Sequence, residues 1–375
     1  MSLFNVYPLY NINLVKASDC TVIDSEGTEY LDFYGGHGVI SIGHQHPLYV
    51  QMLTKQLHEI SFYSNSVQMP LQKQLADKLL AISGYENFSA FFCNSGAEAN
   101  ENALKLASFH TGRNKLIAFK GSFHGRTSLA LNVTDDSSIA APVNSSERVK
   151  WAKINDIESV KQVLTPDVAA VIIEGIQGVG GVIEPEASFL EQLETLCNQN
   201  GSILILDEIQ SGYGRTGKFF AHQYSHVTPH IITMAKGIGN GFPLASVLIS
   251  PQIKATLGML GTTFGGNHLA CAAGLATATV FENEHLMKNA ADCGNYIFSA
   301  LKNNKAIKQL RGKGLMIGVE PFANAKTIRD ALLYDFKIFT GFSGKQNTIR
   351  LLPPLTVTPQ KADKFIEAFN TVTNN

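Results

Sequence analysis

The sequence predicts an α/β protein: a mostly parallel sheet covered by helices on both faces, joined to a smaller α+β domain. Three observations predict it. From Phe88 to Ser250, short runs that are apolar throughout alternate with helix-like segments, the signature of parallel strands buried on both faces. Past Asn267 the pattern changes to long helices interleaved with short strands. Residues 1–45 carry the hairpin-like "CTVIDSEGTEYLDF", which should pack with that second part.

Strands are expected at Phe88–Cys93, Leu116–Phe119, Val168–Glu174, Ile203–Asp207, Ile231–Ala235 and Ser246–Ile249, with helices such as Ala97–Phe109 and Ser188–Gln199 between them. The run "SSERVK", 145–150, reads as a solvated surface segment. A long helix over 268–302 leads into "LRGKGLMIGVE", where Lys313 reads as a turn residue. A helix near 325–335, the strand-like "TIRLLPPL" and a closing helix near 359–372 follow. The expected domains are an N-terminal segment, 1–45, packing with the small domain; a large domain, 46–262; and a small α+β domain, 263–375.

A chain of 375 residues exceeds the usual size of one domain and buries a large core. Its 30 basic and 31 acidic residues leave no electrostatic footprint for nucleic acid or an anionic membrane. Five scattered cysteines, none in a C-x-x-C, argue against a disulfide framework or zinc site and for a reducing compartment. Neither a signal peptide nor an 18-residue apolar span is legible, so a cytoplasmic enzyme is expected.

Sheets of this kind bind ligands at the carboxyl ends of their strands, and the chemistry stands there. "SILILDE" delivers Asp207 and Glu208. "FSAFFCN" delivers "SGAEAN", small residues opening a helix whose free N–H groups suit a phosphate. "IITMAKGIGNGFP" places Lys236 where a buried strand meets a glycine-rich loop, and "SFHGRTS" offers an aromatic beside an arginine. Lysine is almost never buried unless its charge is paired or consumed. A lysine, an acid, an anion cradle and an aromatic together fit pyridoxal phosphate. The lysine bonds to the aldehyde, the carboxylate pairs with the ring nitrogen, the N–H groups hold the phosphate and the aromatic stacks. "GIGNG" is not a dinucleotide fingerprint, since it runs into the strand-like "ASVLIS" rather than opening a helix. His44 and His46 in "GHQHP" lack a third metal ligand and read as structural, as does His124; no metal site is expected.

"LDEIQSGYGRTG", Lys236 in "TMAKGIGNGFP", "NSGAEANENALKLA", "FHGRT", "TTFGGNHLACAA" and "GHQHP" together resemble the class III (ω-amino) aminotransferases of PLP fold type I over nearly the whole chain. The likeness is nearest to their acetylornithine branch, with the ornithine aminotransferases beside it. It implies a seven-stranded, mostly parallel sheet in the large domain and pyridoxal 5'-phosphate as cofactor. It makes Lys236 the Schiff-base lysine and Asp207 the pyridinium partner. Gln210 falls near the ring oxygen, Ser95, Gly96 and Ala97 at the phosphate, and Phe123 on the ring. Thr263 reaches the phosphate of a neighbouring subunit, implying a homodimer with shared sites. Arg126 grips the substrate α-carboxylate and Arg350 a second carboxylate. The implied reaction moves the terminal amine of N-acetylornithine, or another N-acylornithine, to 2-oxoglutarate in arginine biosynthesis.

Two departures fall on the substrate side. Relatives read "EPIQGEGG" where this chain has "EGIQGVGG", so Gly175 replaces a proline and Val179 an acid that masks the second arginine. His37 stands where acetylornithine enzymes carry a small residue and ornithine aminotransferase a tyrosine. Ornithine, succinylornithine and 4-aminobutyrate aminotransferases therefore stay open as alternatives. Outside transamination so do a PLP aminomutase or decarboxylase and a non-catalytic PLP-fold protein.

Overall fold

A computed structural model describes residues 3–144 and 147–374. Near the N-terminus, β1 (Leu14–Ser18), β2 (Thr21–Asp24) and β3 (Glu29–Asp32) form an antiparallel meander. Its tight turn is built by Asp24, whose Oδ1 accepts from the N–H groups of Glu26 and Thr28 at 3.0 and 2.9 Å.

The large sheet contains β4 (Ser89–Cys93), β5 (Lys115–Phe119), β6 (Val149–Ala152), β7 (Val168–Glu174), β8 (Ile203–Asp207), β9 (Ile231–Met234) and β10 (Ala245–Ile249). Their order is β4-β10-β9-β8-β7-β5-β6, with β10 antiparallel to both neighbours and the other pairings parallel. The runs of Val, Ile and Leu are explained by two-sided burial. Leu116, Ala118, Ile172, Ile203 and Ile205 face one apolar layer, and Ile117, Phe119, Ile173, Leu204 and Leu206 face the other. The helix Gly96–Thr111 supplies Ala103, Leu104 and Ala107 to the first, and Ala187–Asn200 supplies Phe189, Leu190 and Leu193 to the second.

The C-terminal part adds β11 (Ile307–Lys313), β12 (Met316–Pro321), β13 (Ile338–Phe339), β14 (Gly341–Ser343) and β15 (Thr348–Leu351), with helices Ala325–Tyr334 and Pro359–Asn374. An antiparallel sheet runs β11-β12-β15-β14, while β13 leaves it to pair in parallel with β3.

Three expectations are corrected. The run 145–150 does not stay a surface segment: Val149 and Lys150 begin edge strand β6, with Val149 and Ala152 buried and Lys150 exposed, while Ser145 and Ser146 lie outside the described residues. Four alternating residues are too few to announce a strand. The long helix over 268–302 is two helices, His268–Asn283 and Leu286–Leu301, broken at His285 with φ of 52°. A histidine takes the left-handed position that glycine would have advertised. Lys313 ends β11 rather than occupying the turn, and pairs with Glu184 at 2.6 Å.

One buried amide ties the N-terminal segment to the loop after β9. Asn240, itself left-handed at φ 46°, accepts from Ser41 N and Ile42 N at 2.8 and 3.1 Å and donates to Gly43 O at 3.0 Å. Asn240→Ala strands two buried N–H groups, so chemical denaturation should show a loss of roughly 2–4 kcal/mol. Asn240→Gly relieves the backbone strain but restores no acceptor. It should remain destabilised; a glycine variant as stable as wild type would show that strain rather than the lost bonds sets the effect.

Candidate active site

Asp207 closes β8 and is buried. Its Oδ2 accepts from Asn100 Nδ2 at 2.7 Å and lies 2.7 Å from His124 Nδ1, and its Oδ1 accepts from Ile209 N at 3.0 Å. Asn100 sits one turn into the helix Gly96–Thr111, its own carbonyl taken by Thr233 Oγ1 at 2.7 Å, which fixes its amide as the donor. Because Asn100 donates to Oδ2, the matching assignment places a proton on His124 Nδ1 as a second donor. Three donors converge on one carboxylate and fix its aim.

Lys236 follows β9 and opens a short 3-10 turn with φ of 49°, a strained position for a side chain of this size. Its amine makes no hydrogen bond or ion pair among the described residues. Burial lowers its proton affinity, with Asp207 and Glu174 opposing and Arg350 adding to the depression. Glu174, at the end of β7, is the cross-strand neighbour of Asp207. Burial pushes its carboxyl up to about 7, against the pull of His124, and the charge of Asp207 raises it further; its oxygens accept from Phe123 N and Gly178 N, each at 3.0 Å.

These groups surround a cavity of ≈ 480 Å³ whose wall includes Ser95, Gly96, Ala97, Phe123, Arg126, Asp207, Gln210 and Lys236, eight of the eleven residues singled out from sequence. Ser95 caps the helix by accepting from Glu98 N at 3.2 Å, leaving the N–H groups of Gly96 and Ala97 without an intrahelical acceptor. Gly125, at φ 138°, lets the "FHGRT" loop press on this cradle; a Cβ there would stand 2.6 Å from that of Ala97. Arg126 is an exposed part of the wall.

The other three are not in the wall. Thr263 is exposed, and its neighbour Thr262 instead bonds Glu98 at 3.1 Å. His37 and Arg350 meet at the rim through Tyr34 and Gln210. Gln210 is turned toward them, donating to His37 O at 3.0 Å. Gly175 also has its reason here: a Cβ at that position would lie 2.5 Å from the Glu208 carboxylate, which is fixed by His222 Nδ1 at 2.8 Å. His44 bonds Asp32 and His46 caps the helix Pro47–Glu59, and no group of three His, Cys, Asp or Glu suited to a metal ion occurs among the described residues. Sequence reasoning missed Asn100, Glu174 and the contact of His124 with Asp207. The spacing of Asn100, one helical turn after Gly96, was the available signal.

An unpartnered amine opening on the cavity, a fixed carboxylate and free helix N–H groups around it fit a planar, phosphate-bearing aldehyde. The fold and this lysine define a pyridoxal-phosphate enzyme of fold type I, and pyridoxal phosphate is its cofactor. The family described as "Aminotransferase class-III" matches residues 5–373. Acetylornithine aminotransferase of Bacillus subtilis (strain 168) is 42% identical, covering 98% of this chain and 95% of its own. That of Bacillus anthracis is 38% identical, covering 97% and 95%. The solved ornithine aminotransferase of Toxoplasma gondii, described with PLP at its active site, superposes with a TM-score of 0.91 at 27% identity, over 100% of this chain and 93% of that one. The chain belongs to the class III aminotransferases. No helix among the described residues is long and apolar enough to cross a membrane.

The Glu174 carboxyl sets a pH signature. A carboxyl whose pKa rises on folding, here from the usual 4.5 to about 7, holds its proton more tightly in the folded state. Its contribution to stability is full below the unfolded value and is lost as pH climbs through the folded one. In cofactor-free protein, the stability of wild type relative to Glu174→Gln should therefore fall between pH 5 and 7.5. Thermal melts with a pH-independent gap would refute the assignment.

Proposed function

We propose that the enzyme moves the terminal amine of N-acetylornithine, or another N-acylornithine, to 2-oxoglutarate, giving the semialdehyde and glutamate, in arginine biosynthesis. The observation that carries this reading is the placement of Lys236 and Asp207 in the wall that also holds Arg126. Relatives named acetylornithine aminotransferase support the donor.

The bound cofactor supplies an electron sink for the carbanion left when the substrate's δ-carbon loses a proton. The protein's own residues do the rest. Gly96 and Ala97 offer N–H groups to the phosphate, Phe123 a face to the ring and Asp207 an anion to the ring nitrogen. Asn100 and His124 keep Asp207 from turning away. Lys236 Nζ moves the proton, a role that its lowered proton affinity, caused first by burial, suits. Arg126 takes the α-carboxylate as a bidentate guanidinium.

The finer expectations stand as proposals on the same resemblance. Exposed Leu57, Leu257 and Phe264, beside Thr263, support a homodimer in which Thr263 serves the partner's phosphate. Five free, buried cysteines support a cytoplasmic setting. A small domain made of residues 263–375 with the N-terminal segment 1–45 is supported by the pairing of β3 with β13.

Borohydride reduction of the loaded protein, followed by digestion, should leave the pyridoxyl group on the peptide carrying Lys236. Label on another lysine overturns the assignment. The choice of donor turns on Val179 and Arg350. Arg350 has neutral partners and no carboxylate within ion-pair distance among the described residues, and Val179 brings no charge. An arginine so placed disfavours a donor with a cationic tail and favours an acyl carbonyl or second carboxylate, so N-succinylornithine is the second reading. At saturating 2-oxoglutarate, kcat/KM for both acylated donors should exceed that for free ornithine more than tenfold, about 1.4 kcal/mol. Val179→Glu should narrow the gap. A wild-type preference for ornithine, or unchanged ratios in the variant, would sink this account of specificity.

A further inference from the structure

Residues Gly35–Gly38 form one turn of backbone wound left-handed, with φ of 54°, 56°, 70° and 74°. Gly38 N donates to Tyr34 O and Val39 N to Gly35 O, each at 2.8 Å, and Asp32 Oδ1 anchors the start by accepting from Tyr34 N and Gly35 N at 3.0 and 2.7 Å. Three of the four residues are glycines, for which this winding is free. His37 is the exception, at roughly 1–2 kcal/mol for an L side chain. Strain held at the rim of a cavity asks what the side chain gains there.

The histidine gains a place in a closed ring of hydrogen bonds. His37 Nδ1 is 2.6 Å from Tyr34 Oη, and Arg350 Nη2 donates to the same oxygen at 3.0 Å. Arg350 Nη1 donates to Gln210 Oε1 at 3.4 Å, and Gln210 Nε2 returns to His37 O at 3.0 Å. The proton positions follow from the chemistry. Arginine only donates, so Tyr34 Oη accepts from it, and we assign the hydroxyl's single hydrogen to His37 Nδ1, the tautomer that leaves this ring nitrogen as an acceptor. His37 is then neutral, with its own proton on Nε2. Burial and the charges of Arg350 and Lys236 lower its proton affinity in the same direction. The guanidinium is buried, and its Nε has no partner.

The two arms of the ring are unequal. Tyr34 holds Nη2 by a bond of ordinary length, whereas Gln210, which stands in the cavity wall, holds Nη1 by a long one. A carboxylate arriving in the cavity meets Gln210 first and displaces only that long bond, because an anionic acceptor pairs with the guanidinium charge as a neutral amide oxygen does not. We propose that His37 is a positioning residue: by accepting the Tyr34 hydroxyl proton it aims Arg350, so that a dicarboxylate substrate claims Nη1 by displacing Gln210 alone. The proposal rests on the transaminase reading for its choice of 2-oxoglutarate as that substrate.

The test uses the holoenzyme with His37→Gly, which removes the acceptor and the strain together, and His37→Asn, which tolerates the left-handed backbone and offers Oδ1 in place of Nδ1. Tyr34→Phe breaks the same link from the other side. Glutarate, a dicarboxylate that cannot transaminate, is titrated by calorimetry, and KM is measured for 2-oxoglutarate and for the amine donor. His37→Gly and Tyr34→Phe should each weaken glutarate at least tenfold and raise the 2-oxoglutarate KM by a similar factor. The fall in kcat/KM for free ornithine as amine donor, which offers Arg350 neither an acyl carbonyl nor a second carboxylate, should be at least threefold smaller, and His37→Asn should restore glutarate affinity to within threefold of wild type. Equal losses for both substrates, unchanged glutarate affinity, or an asparagine variant as weak as the glycine one would overturn the proposal. A wild-type enzyme without 2-oxoglutarate-dependent turnover would instead overturn the transaminase reading, and the glutarate titrations would still decide the role of His37.

Discussion

The site depends on one buried carboxylate that cannot move. Asp207 is reached by Asn100 from the first turn of a helix, by His124 from the loop after β5 and by a backbone N–H from its own strand end. Each donor belongs to a different element, so the carboxylate reports whether the sheet, the helix and the loop are packed correctly. Burying an anion without such partners costs several kcal/mol. Thr233 extends the chain of bonds to β9, the strand that delivers Lys236, so the acid and the amine are placed through one connected network.

Lys236 shows the opposite economy. Its amine faces the cavity without a partner among the described residues, and its backbone is left-handed. Nothing in the packing of the chain requires either feature. They make sense for a group whose charge is consumed by a bound aldehyde, and the surrounding glycines leave room for it. The same logic separates Arg215, buried but satisfied by the carbonyls of Leu315 and Pro353, which is a strut between the two parts of the chain.

The fold and the centre of the site were legible because their signals are local. Six apolar runs gave six strands to within a residue at either end, and Lys236 and Asp207 stood at the ends of two of them. What escaped was either short or distant. Edge strand β6 has only four residues, an exposed lysine among them, and the helix break at His285 carries no glycine or proline. Asn100 looks like any polar residue in a helix until Thr233 and Asp207, more than a hundred positions away, come into contact with it. The ring around Arg350 joins residues 34, 37, 210 and 350, and no pattern in the sequence links them. Gln210 was placed by resemblance near the cofactor, and its bonds to His37 O and Arg350 carry no local signal.

The parallel pairing of β3 with β13 has a consequence for how the protein is made. Glu29–Asp32 emerge from a ribosome about 300 residues ahead of their partner Ile338–Phe339. At about 5–20 residues per second the wait is roughly 15–60 s. Throughout that time the nascent N-terminal meander presents an unpaired strand edge, the kind of surface that invites wrong pairing and chaperone binding. Within the large sheet the longest wait, that of β4 for β10, is about half as long, so the meander is made before that sheet and finds its place after it.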